Sequence, residues 1–372
     1  MRLASLATVL AGSALLIGLG APVAQAASSD IVVAVEAPLT GSQADNGQDM
    51  LRGVKLAVSQ LNAKGGLNGH KVRIVELDDA ADPTKAAAMV AQAKAAGAVA
   101  VVGPYNSSVG VINLPLYLKA GIAPVHMTST NDTDGMGITV QPKNNQIAPV
   151  EAAYVLGQKA TSVAMLVDPS TYTQGMADRL STALKAKGVT LTAIPITEGK
   201  SDYSAEVAQA LTGVPSMVYV STYYPEGAKI AQSLAKSKLP TTCLMGLANV
   251  DPAFVTQAGS IASERCKFSG VPAAAQEPGA AAKVYAAAYL KAFKKQAGVW
   301  SPFTYDSMNV LGSAITKAKG TDYAKVMSAL QNTTNFKGAT GTVSIDPKTG
   351  NRIKVPVYIL TVDAKGNFVV TK

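Results

Sequence analysis

The chain has 372 residues, of which 48% are hydrophobic and 15% charged, and its formal net charge at pH 7 is +9. This length exceeds what one compact core usually holds and favours two domains. The lysines are spread among apolar residues, without a basic run or interleaved aromatics, so the positive charge does not indicate a nucleic-acid partner. Neither Cys243 nor Cys266 has a histidine or second cysteine at metal-ligand spacing, so we expect no metal site.

The N-terminus has the pattern of a secretory signal peptide. A positively charged start is followed by an apolar stretch over residues 3–19 and by a small-residue cleavage site at residues 24–26. We therefore expect residues 1–26 to be removed on export. Ser13 stands where the lipid-bearing cysteine of a lipoprotein would lie, so we expect no lipid anchor. Every later apolar stretch is interrupted by proline, glycine or charge before it could cross a bilayer.

After the signal peptide, short apolar runs alternate with helical periodicity. The predicted strands of this first series are residues 31–35, 72–74, 98–102 and 122–125. A helix with apolar residues from Met50 to Leu61 connects the first two strands and ends at Gly65 and Gly66. An Asp82-Pro83 pair begins the next helix, and Gly97 ends it. The alternation predicts a parallel, doubly wound α/β sheet.

A second series of the same kind begins near residue 160. Its predicted elements are strands at 163–167, 191–196 and 217–220 and helices at 175–187, 204–211 and 226–235. Three further helices, at 280–296, 305–319 and 323–331, and a terminal hairpin at 354–370 complete the chain. The sequence therefore predicts two α/β lobes, each with its own parallel sheet.

Polar residues cluster where two predicted strands of the first lobe end. The segment VVGPYNSSVG, residues 101–110, places Ser107 and Ser108 at the start of a helix, and the following strand runs into HMTSTN, residues 126–131. Asn106 or Ser107 could simply cap the helix. A helix N-terminus also favours an anion, and parallel strands end at one edge of the sheet, where ligands bind. Two hydroxyl clusters at one edge favour a shared anion site.

Several segments resemble one known family. The stretches IVVAVEAPLTG (31–41), AVSQLNAKGGLNGHKVRIVELDDAADP (57–83), VGPYNSS (102–108) and STYYPEGAKI (221–230) are similar to the periplasmic binding proteins of branched-chain amino-acid ABC importers. The resemblance implies a Venus-flytrap protein of the type I periplasmic-binding fold, with three crossovers between its lobes. It places residues 27–148 and 276–345 in lobe 1 and residues 149–275 and 346–372 in lobe 2.

The resemblance also implies a ligand site. In this family the carboxylate of the ligand is held by positions that match Ser107, Thr128 and Thr130, and Tyr105 should help to line the pocket. The second lobe should contribute aromatic side chains at Tyr172 and Tyr223. Tyrosines offer an apolar wall with one hydroxyl, which suits a cleft that opens to water and closes.

The chain departs from the family at the position that usually supplies an acid for the ligand's ammonium group. Ala248 matches that position best, or Asn249 if the loop is shifted by one residue. An unpaired buried ammonium would be costly, so two alternatives stay open. In the first, Glu36, Asp45 or Glu226 supplies the negative charge; Glu36 and Asn46 are both unusual for the family at positions expected to face the cleft. In the second, the ligand is an organic or aromatic acid without an amine.

The functions compatible with this sequence differ in class. The resemblance implies a periplasmic solute receptor that is not an enzyme, needs no cofactor, acts as a monomer, and delivers a carboxylate-bearing small molecule to an inner-membrane ABC permease. One alternative is the ligand-sensing subunit of a membrane signalling system. Another is an exported α/β enzyme, which the absence of hydrolase, dinucleotide and phosphate-loop motifs disfavours.

The two cysteines form a separate prediction. Cys243 ends one predicted strand and Cys266 begins the next, so the two sulfurs would meet if these strands are neighbours. An exported protein with an even number of cysteines is compatible with one disulfide, and two buried thiols are the alternative.

Overall fold

A computed structural model describes residues 30–237, 239–277 and 279–371 of the chain. The predicted signal peptide, residues 1–26, lies outside these residues. Within the described ranges, none of the helices combines the length and the apolar character that a membrane span requires.

The first sheet has four parallel strands in the order β2-β1-β3-β4. The strands are β1 (Ile31–Ala37), β2 (Val72–Asp78), β3 (Ala100–Val102) and β4 (Ala123–Val125). Every residue of β1 is buried, as expected for the central strand of a sheet with helices on both faces. The helices of this part are α1 (Ala44–Ala63), α2 (Ala86–Ala95) and α3 (Ser107–Lys119).

The second sheet has seven strands in the order β13-β12-β9-β8-β7-β5-β6. Its strands are β5 (Ser162–Val167), β6 (Thr190–Pro195), β7 (Met217–Ser221), β8 (Thr242–Met245), β9 (Cys266–Gly270), β12 (Tyr358–Val362) and β13 (Phe368–Val370). The strands from β5 to β9 run parallel, whereas β12 and β13 form the predicted terminal hairpin and join antiparallel to β9. Its helices are α4 (Asn144–Gly157), α5 (Thr171–Lys185), α6 (Ser204–Ala210), α7 (Tyr224–Lys236), α8 (Pro252–Ala258) and α9 (Ser260–Arg265).

The chain returns to the first sheet through its late helices, α10 (Ala280–Phe293), α11 (Ser301–Ala318) and α12 (Tyr323–Gln331). Helix α11 packs along α1, and a small antiparallel pair, β10 (Phe336–Gly338) and β11 (Gly341–Val343), follows α12. The predicted α/β class is confirmed, with one fully parallel sheet and one in which only the terminal hairpin runs antiparallel. The sequence patterns did not indicate α4 or the β10–β11 pair.

Two of the chain segments that pass between the sheets, one after β4 and one after α12, are bonded to each other. Thr139 and Asn351 form a parallel β-bridge. The buried guanidinium of Arg352 donates to the backbone oxygens of Val140, Thr340 and Thr342 at 2.7–3.1 Å. The lobe limits near residues 148, 275 and 345 stay predictions, and these contacts lie beside two of them.

Candidate ligand-binding cavity between the two sheets

The first wall of the site begins where β3 ends. Gly103 has a φ of +118°, and a Cβ atom there would stand 2.0 Å from the carbonyl oxygen of Glu36. Only glycine permits this close approach to β1. The turn at Gly103 carries Tyr105 to the cavity and starts α3 at Ser107, whose side chain is buried.

The loop after β4 meets the start of α3. The backbone N–H of Thr130 donates to the hydroxyl oxygen of Ser107 at 3.2 Å. Thr128 lies two residues earlier in this loop, but its hydroxyl contacts His126 Nδ1 at 2.9 Å and Thr133 Oγ1 at 2.7 Å. Ser107 therefore lines the cavity, Thr130 lies directly behind it, and Thr128 belongs to a buried network beside it.

His126 is part of that network and not of the cavity wall. Its ring is fully buried, and burial together with the nearby Lys143 holds the pKa of the imidazole well below its usual range. His126 is therefore neutral at physiological pH. It orients the Thr128 hydroxyl, with the proton position set by the tautomer.

The second wall comes from the seven-stranded sheet. Tyr172 lies in the first turn of α5, after β5, and Tyr223 lies between β7 and α7. The backbone N–H of Tyr223 donates to Asp168 Oδ2 at 3.3 Å, which fixes its position. Ala248 lies in the short 3-10 turn Leu247–Asn249 after β8. The three loops converge because parallel strands end at one edge of their sheet.

Residues from both halves line one small cavity with about 220 Å³ of space between atoms, part of which is open to solvent. Ten described residues line it, and all of them are buried: Tyr105, Ser107, Met127, Ser129, Gln141, Tyr172, Tyr223, Leu247, Ala248 and Trp300. The aromatic rings form a continuous chain across it. Ring centroids are 5.2 Å apart for Trp300 and Tyr105, 6.0 Å for Tyr105 and Tyr223, and 5.8 Å for Tyr223 and Tyr172.

The sequence analysis did not identify half of this wall. Trp300, Met127, Ser129, Gln141 and Leu247 line the cavity without having been predicted. Gln141 donates to the backbone oxygen of Met127 and to Ser129 Oγ, and so holds the loop after β4 in place. The one available signal was Trp300, because it is the single tryptophan of the sequence and lies shortly before the helix predicted at 305–319.

Several polar atoms at the cavity have no hydrogen-bond partner in the described part of the protein. They are Tyr172 Oη, Gln141 Oε1 and Trp300 Nε1. Buried polar atoms are normally paired, so atoms left unpaired at a cavity point to a ligand or to ordered water. Burial raises the pKa of the Tyr105, Tyr172 and Tyr223 hydroxyls, which keeps all three protonated and able to donate.

Glu36 lies on the other side of β1, so the prediction that it faces the cleft is corrected. Its carboxylate accepts hydrogen bonds from Asn113 Nδ2 at 2.5 Å and from the Tyr117 hydroxyl at 2.6 Å, both on α3. Burial, and to a lesser degree repulsion from Asp79, raises the pKa of Glu36 well above its usual value.

The other candidate acids also lie away from the ten lining residues. Glu226 accepts the backbone N–H of Gly199 at 3.1 Å in the first turn of α7. Asp45 lines a different cavity. Asn46 donates to the Tyr105 hydroxyl at 3.4 Å and thus supports the wall from behind.

Direct hydrogen bonds join the two halves beside the cavity. The backbone N–H of Thr171, at the start of α5, donates to Ser108 Oγ at 3.0 Å. The Tyr224 hydroxyl, at the start of α7, donates to the backbone oxygen of Ser42 at 2.9 Å. Loops and helix starts of the two halves thus contact each other around the cavity.

Comparisons with known proteins agree with this architecture. The profile of the periplasmic binding protein family matches residues 30–367. The Leu/Ile/Val-binding protein BraC3 of Rhizobium johnstonii is 30% identical over 328 residues, covering 86% of this chain and 88% of its own. Leu/Ile/Val-binding protein homolog 2 of Brucella abortus is 29% identical over 330 residues, covering 86% and 87%.

Solved structures share the fold. The leucine-binding protein LivK from Thermotoga maritima has a TM-score of 0.85 at 23% identity, covering 92% of this chain and 98% of its own. A solute-binding protein of an ABC transporter from R. palustris, in complex with benzoate, has a TM-score of 0.83 at 17% identity, covering 92% and 96%. This chain belongs to the periplasmic binding protein family, and its relatives include the Leu/Ile/Val-binding proteins of ABC transporters.

Proposed function

We propose that this protein is the extracytoplasmic solute-binding component of an ABC importer, and that it captures a small carboxylate-bearing molecule by closing its two lobes. One observation carries the proposal: side chains from both lobes line a small cavity with aromatic walls, including Tyr105 and Ser107 from the first lobe and Tyr172 and Tyr223 from the second. A ligand that contacts both lobes stabilises the closed form relative to the open form.

The start of α3 is suited to a carboxylate. The first N–H groups of a helix lack intrahelical acceptors, and the helix dipole favours negative charge at this end. Ser107 adds a hydroxyl at the same place. The relatives support this class of ligand, since some are Leu/Ile/Val-binding proteins and one was solved with benzoate.

Lobe closure supports delivery to a permease. The Ser108–Thr171 and Tyr224–Ser42 hydrogen bonds exist only while the lobes are together, so they contribute to the closed form that an inner-membrane permease would recognise. We place the protein in the periplasm as a monomer without a lipid anchor, after cleavage before Ala27. The lobes would comprise residues 27–148 with 276–345 and residues 149–275 with 346–372.

Three measurements test this function. Native mass spectrometry of the protein as purified should detect a small carboxylic acid, and small-angle scattering should show a smaller radius of gyration when that acid is restored to stripped protein. Deletion of the gene should abolish uptake of the same acid. Chemical turnover of the bound compound, or normal uptake in the deletion strain, would contradict the proposal.

A further inference from the structure

We propose that the ligand is a carboxylate that carries no ammonium group and has a flat or apolar body. This inference rests on the proposed function and narrows the class of ligand. It depends on the chemistry of the ten lining residues, which are all neutral, and on which of their polar atoms remain unpaired.

The unpaired groups at the cavity are mainly donors. Trp300 Nε1–H can only donate, the protonated Tyr172 hydroxyl has a proton to donate, and the start of α3 adds its free N–H groups. Gln141 Oε1 is the one unpaired acceptor among the lining residues. A carboxylate offers only acceptor positions and so matches this set. The ammonium group of an amino acid would need three acceptors, which the unpaired side-chain atoms of this cavity do not supply.

An ammonium group in this enclosed cavity would also need a counter-charge. Transfer of a charge from water into a buried site is costly unless a partner of opposite charge is present. Ala248, at the end of the loop after β8, presents a methyl group to the cavity. The lining residues therefore contribute no carboxylate.

The buried carboxylates nearest to the wall are engaged elsewhere. Glu151 accepts hydrogen bonds from the Tyr219 hydroxyl at 2.9 Å and from Ser269 Oγ at 2.5 Å. Asp168 accepts the backbone N–H groups of Ser170 at 2.9 Å and Tyr223 at 3.3 Å. Each carboxylate holds its own lobe together. Rotation of either toward a ligand would break these bonds.

Asp251 is also unsuited to pair with a ligand in this cavity. Its Oδ1 accepts the backbone N–H of Ala253 at 2.7 Å, capping α8, and its side chain lines the other cavity with Asp45 and Asp49. Burial raises its pKa to about 7, so a large fraction of the Asp251 carboxyl is neutral near physiological pH.

The shape of the wall indicates the body of the ligand. Trp300, Tyr105, Tyr223 and Tyr172 form the ring chain that crosses from one lobe to the other, and Met127 and Leu247 add apolar surface. Aromatic walls favour flat rings and aliphatic groups. A cavity lined by four aromatic rings and two aliphatic side chains suits a small ligand with a flat or apolar body.

Matched pairs of compounds test the inference on the unmodified protein. Calorimetric titration at pH 7.5 would compare 4-methylpentanoate with L-leucine and 3-phenylpropanoate with L-phenylalanine, with benzoate as a fifth compound. Each pair differs by one ammonium group. In at least one pair, we expect the acid to bind about a hundredfold more tightly than its amino acid. This ratio corresponds to a difference of about 2.7 kcal/mol in binding free energy.

The outcomes separate the two proposals. If an amino acid binds as tightly as its matched acid, the inference is overturned while the proposed function stands. If none of the five compounds binds or compacts the protein, and none is found on the purified protein, both fail.

A pair of variants provides an independent test. Ala248→Glu would place a carboxylate at the cavity, whereas Ala248→Gln adds similar volume without charge. We expect Ala248→Glu to lower the affinity for the carboxylic acid about tenfold more than Ala248→Gln does, because the new negative charge repels the ligand. Equal losses in the two variants would show that charge at this position does not select the ligand and would contradict the inference.

Discussion

The hydroxyl oxygen of Ser107 accepts the backbone N–H of Thr130 at 3.2 Å, which joins the loops that follow two neighbouring strands, β3 and β4. The contact leaves the Ser107 proton free to reach a ligand, while Thr130 fixes the direction of the hydroxyl. The pair is therefore a positioned donor at the positive end of a helix.

We expect Ser107→Ala to weaken ligand binding by about tenfold to a hundredfold, because a hydrogen bond to a charged group contributes about 1.5–3 kcal/mol. Titration calorimetry would measure the change. Ser204→Ala is the matched control, since Ser204 also begins a helix but is exposed. Unchanged affinity in the Ser107 variant would remove it from the site.

Tyr172→Phe should separate binding from stability. The Tyr172 hydroxyl is buried and has no protein partner among the described residues, so its removal costs the fold no hydrogen bond. We expect affinity to fall by about tenfold while the free energy of unfolding stays the same or rises. Calorimetry and urea unfolding would measure both quantities.

Tyr219→Phe is the control for this variant. The Tyr219 hydroxyl is also buried but donates to Glu151 at 2.9 Å, outside the cavity. We expect the opposite pattern, with a loss of about 1–3 kcal/mol in unfolding free energy and little change in affinity. If both variants lose stability equally, the Tyr172 hydroxyl has a hydrogen-bond partner within the protein and is not free to bind a ligand.

The position of Glu36 gives a prediction for the corrected residue. Its carboxylate is held by Asn113 and Tyr117 on the face of β1 away from the cavity. We therefore expect the ligand affinity of Glu36→Gln to stay within about twofold of that of the unmodified protein, because the substitution changes no residue that lines the cavity. A tenfold loss of affinity would return Glu36 to the binding site.

The error about Glu36 shows where sequence patterns reach their limit. Side chains of a strand alternate between its faces, and Val33 and Val35 belong to the large core cluster that includes Tyr105 and Trp300. Val32 and Ala34 pack instead against Tyr117 on the opposite face, and Glu36 shares their direction. The sequence shows the alternation but not which face meets the second lobe.

The proximity of Ser107 and Thr130 could be predicted from the sequence because parallel strands end at a common edge of the sheet. The positions of Trp300 and Gln141 at the cavity could not be predicted in this way. Trp300 precedes a helix nearly two hundred residues beyond β4, and Gln141 lies in a segment between the sheets. Their arrival at the cavity depends on how the lobes and crossovers pack, which local periodicity does not encode.

The disulfide gives a fourth prediction. Cys243 and Cys266 lie opposite each other in β8 and β9, with Cα atoms 4.6 Å apart, and their sulfurs are bonded. The bond closes a segment with a sequence separation of 23. Replacing both cysteines with alanine should lower the free energy of unfolding by about 3 kcal/mol and leave ligand affinity unchanged.

A thiol assay on denatured, unreduced protein is the direct check, and we expect it to find no free thiol. Two free thiols would contradict the bond. Reduced wild-type protein should match the double variant in urea unfolding, which separates loss of the crosslink from loss of the buried side chains.

Glu151 gives a prediction about pH. This fully buried carboxyl on α4 has its pKa raised from 4.5 to about 7, chiefly by burial, although hydrogen bonds from Ser269 and Tyr219 oppose the shift. The folded protein therefore holds a proton that the unfolded chain releases between about pH 4.5 and 7. Its contribution to stability is fully present below pH 4.5 and is lost as the pH rises through 7, by on the order of 3 kcal/mol.

Glu151→Gln removes this titration while retaining the shape of the side chain. We expect the free energy of unfolding, measured in urea from pH 5 to pH 8, to fall less steeply with pH in the variant than in the wild type. Because other buried carboxyls titrate in the same range, the difference between the two curves is the quantity to compare. Glu206→Gln is the control, since Glu206 is paired with Lys200 near the surface and its pKa is lowered, which places its effect at more acidic pH. Parallel curves for Glu151→Gln and wild type would show that this carboxyl stays ionised inside the second lobe, and its raised pKa would be refuted.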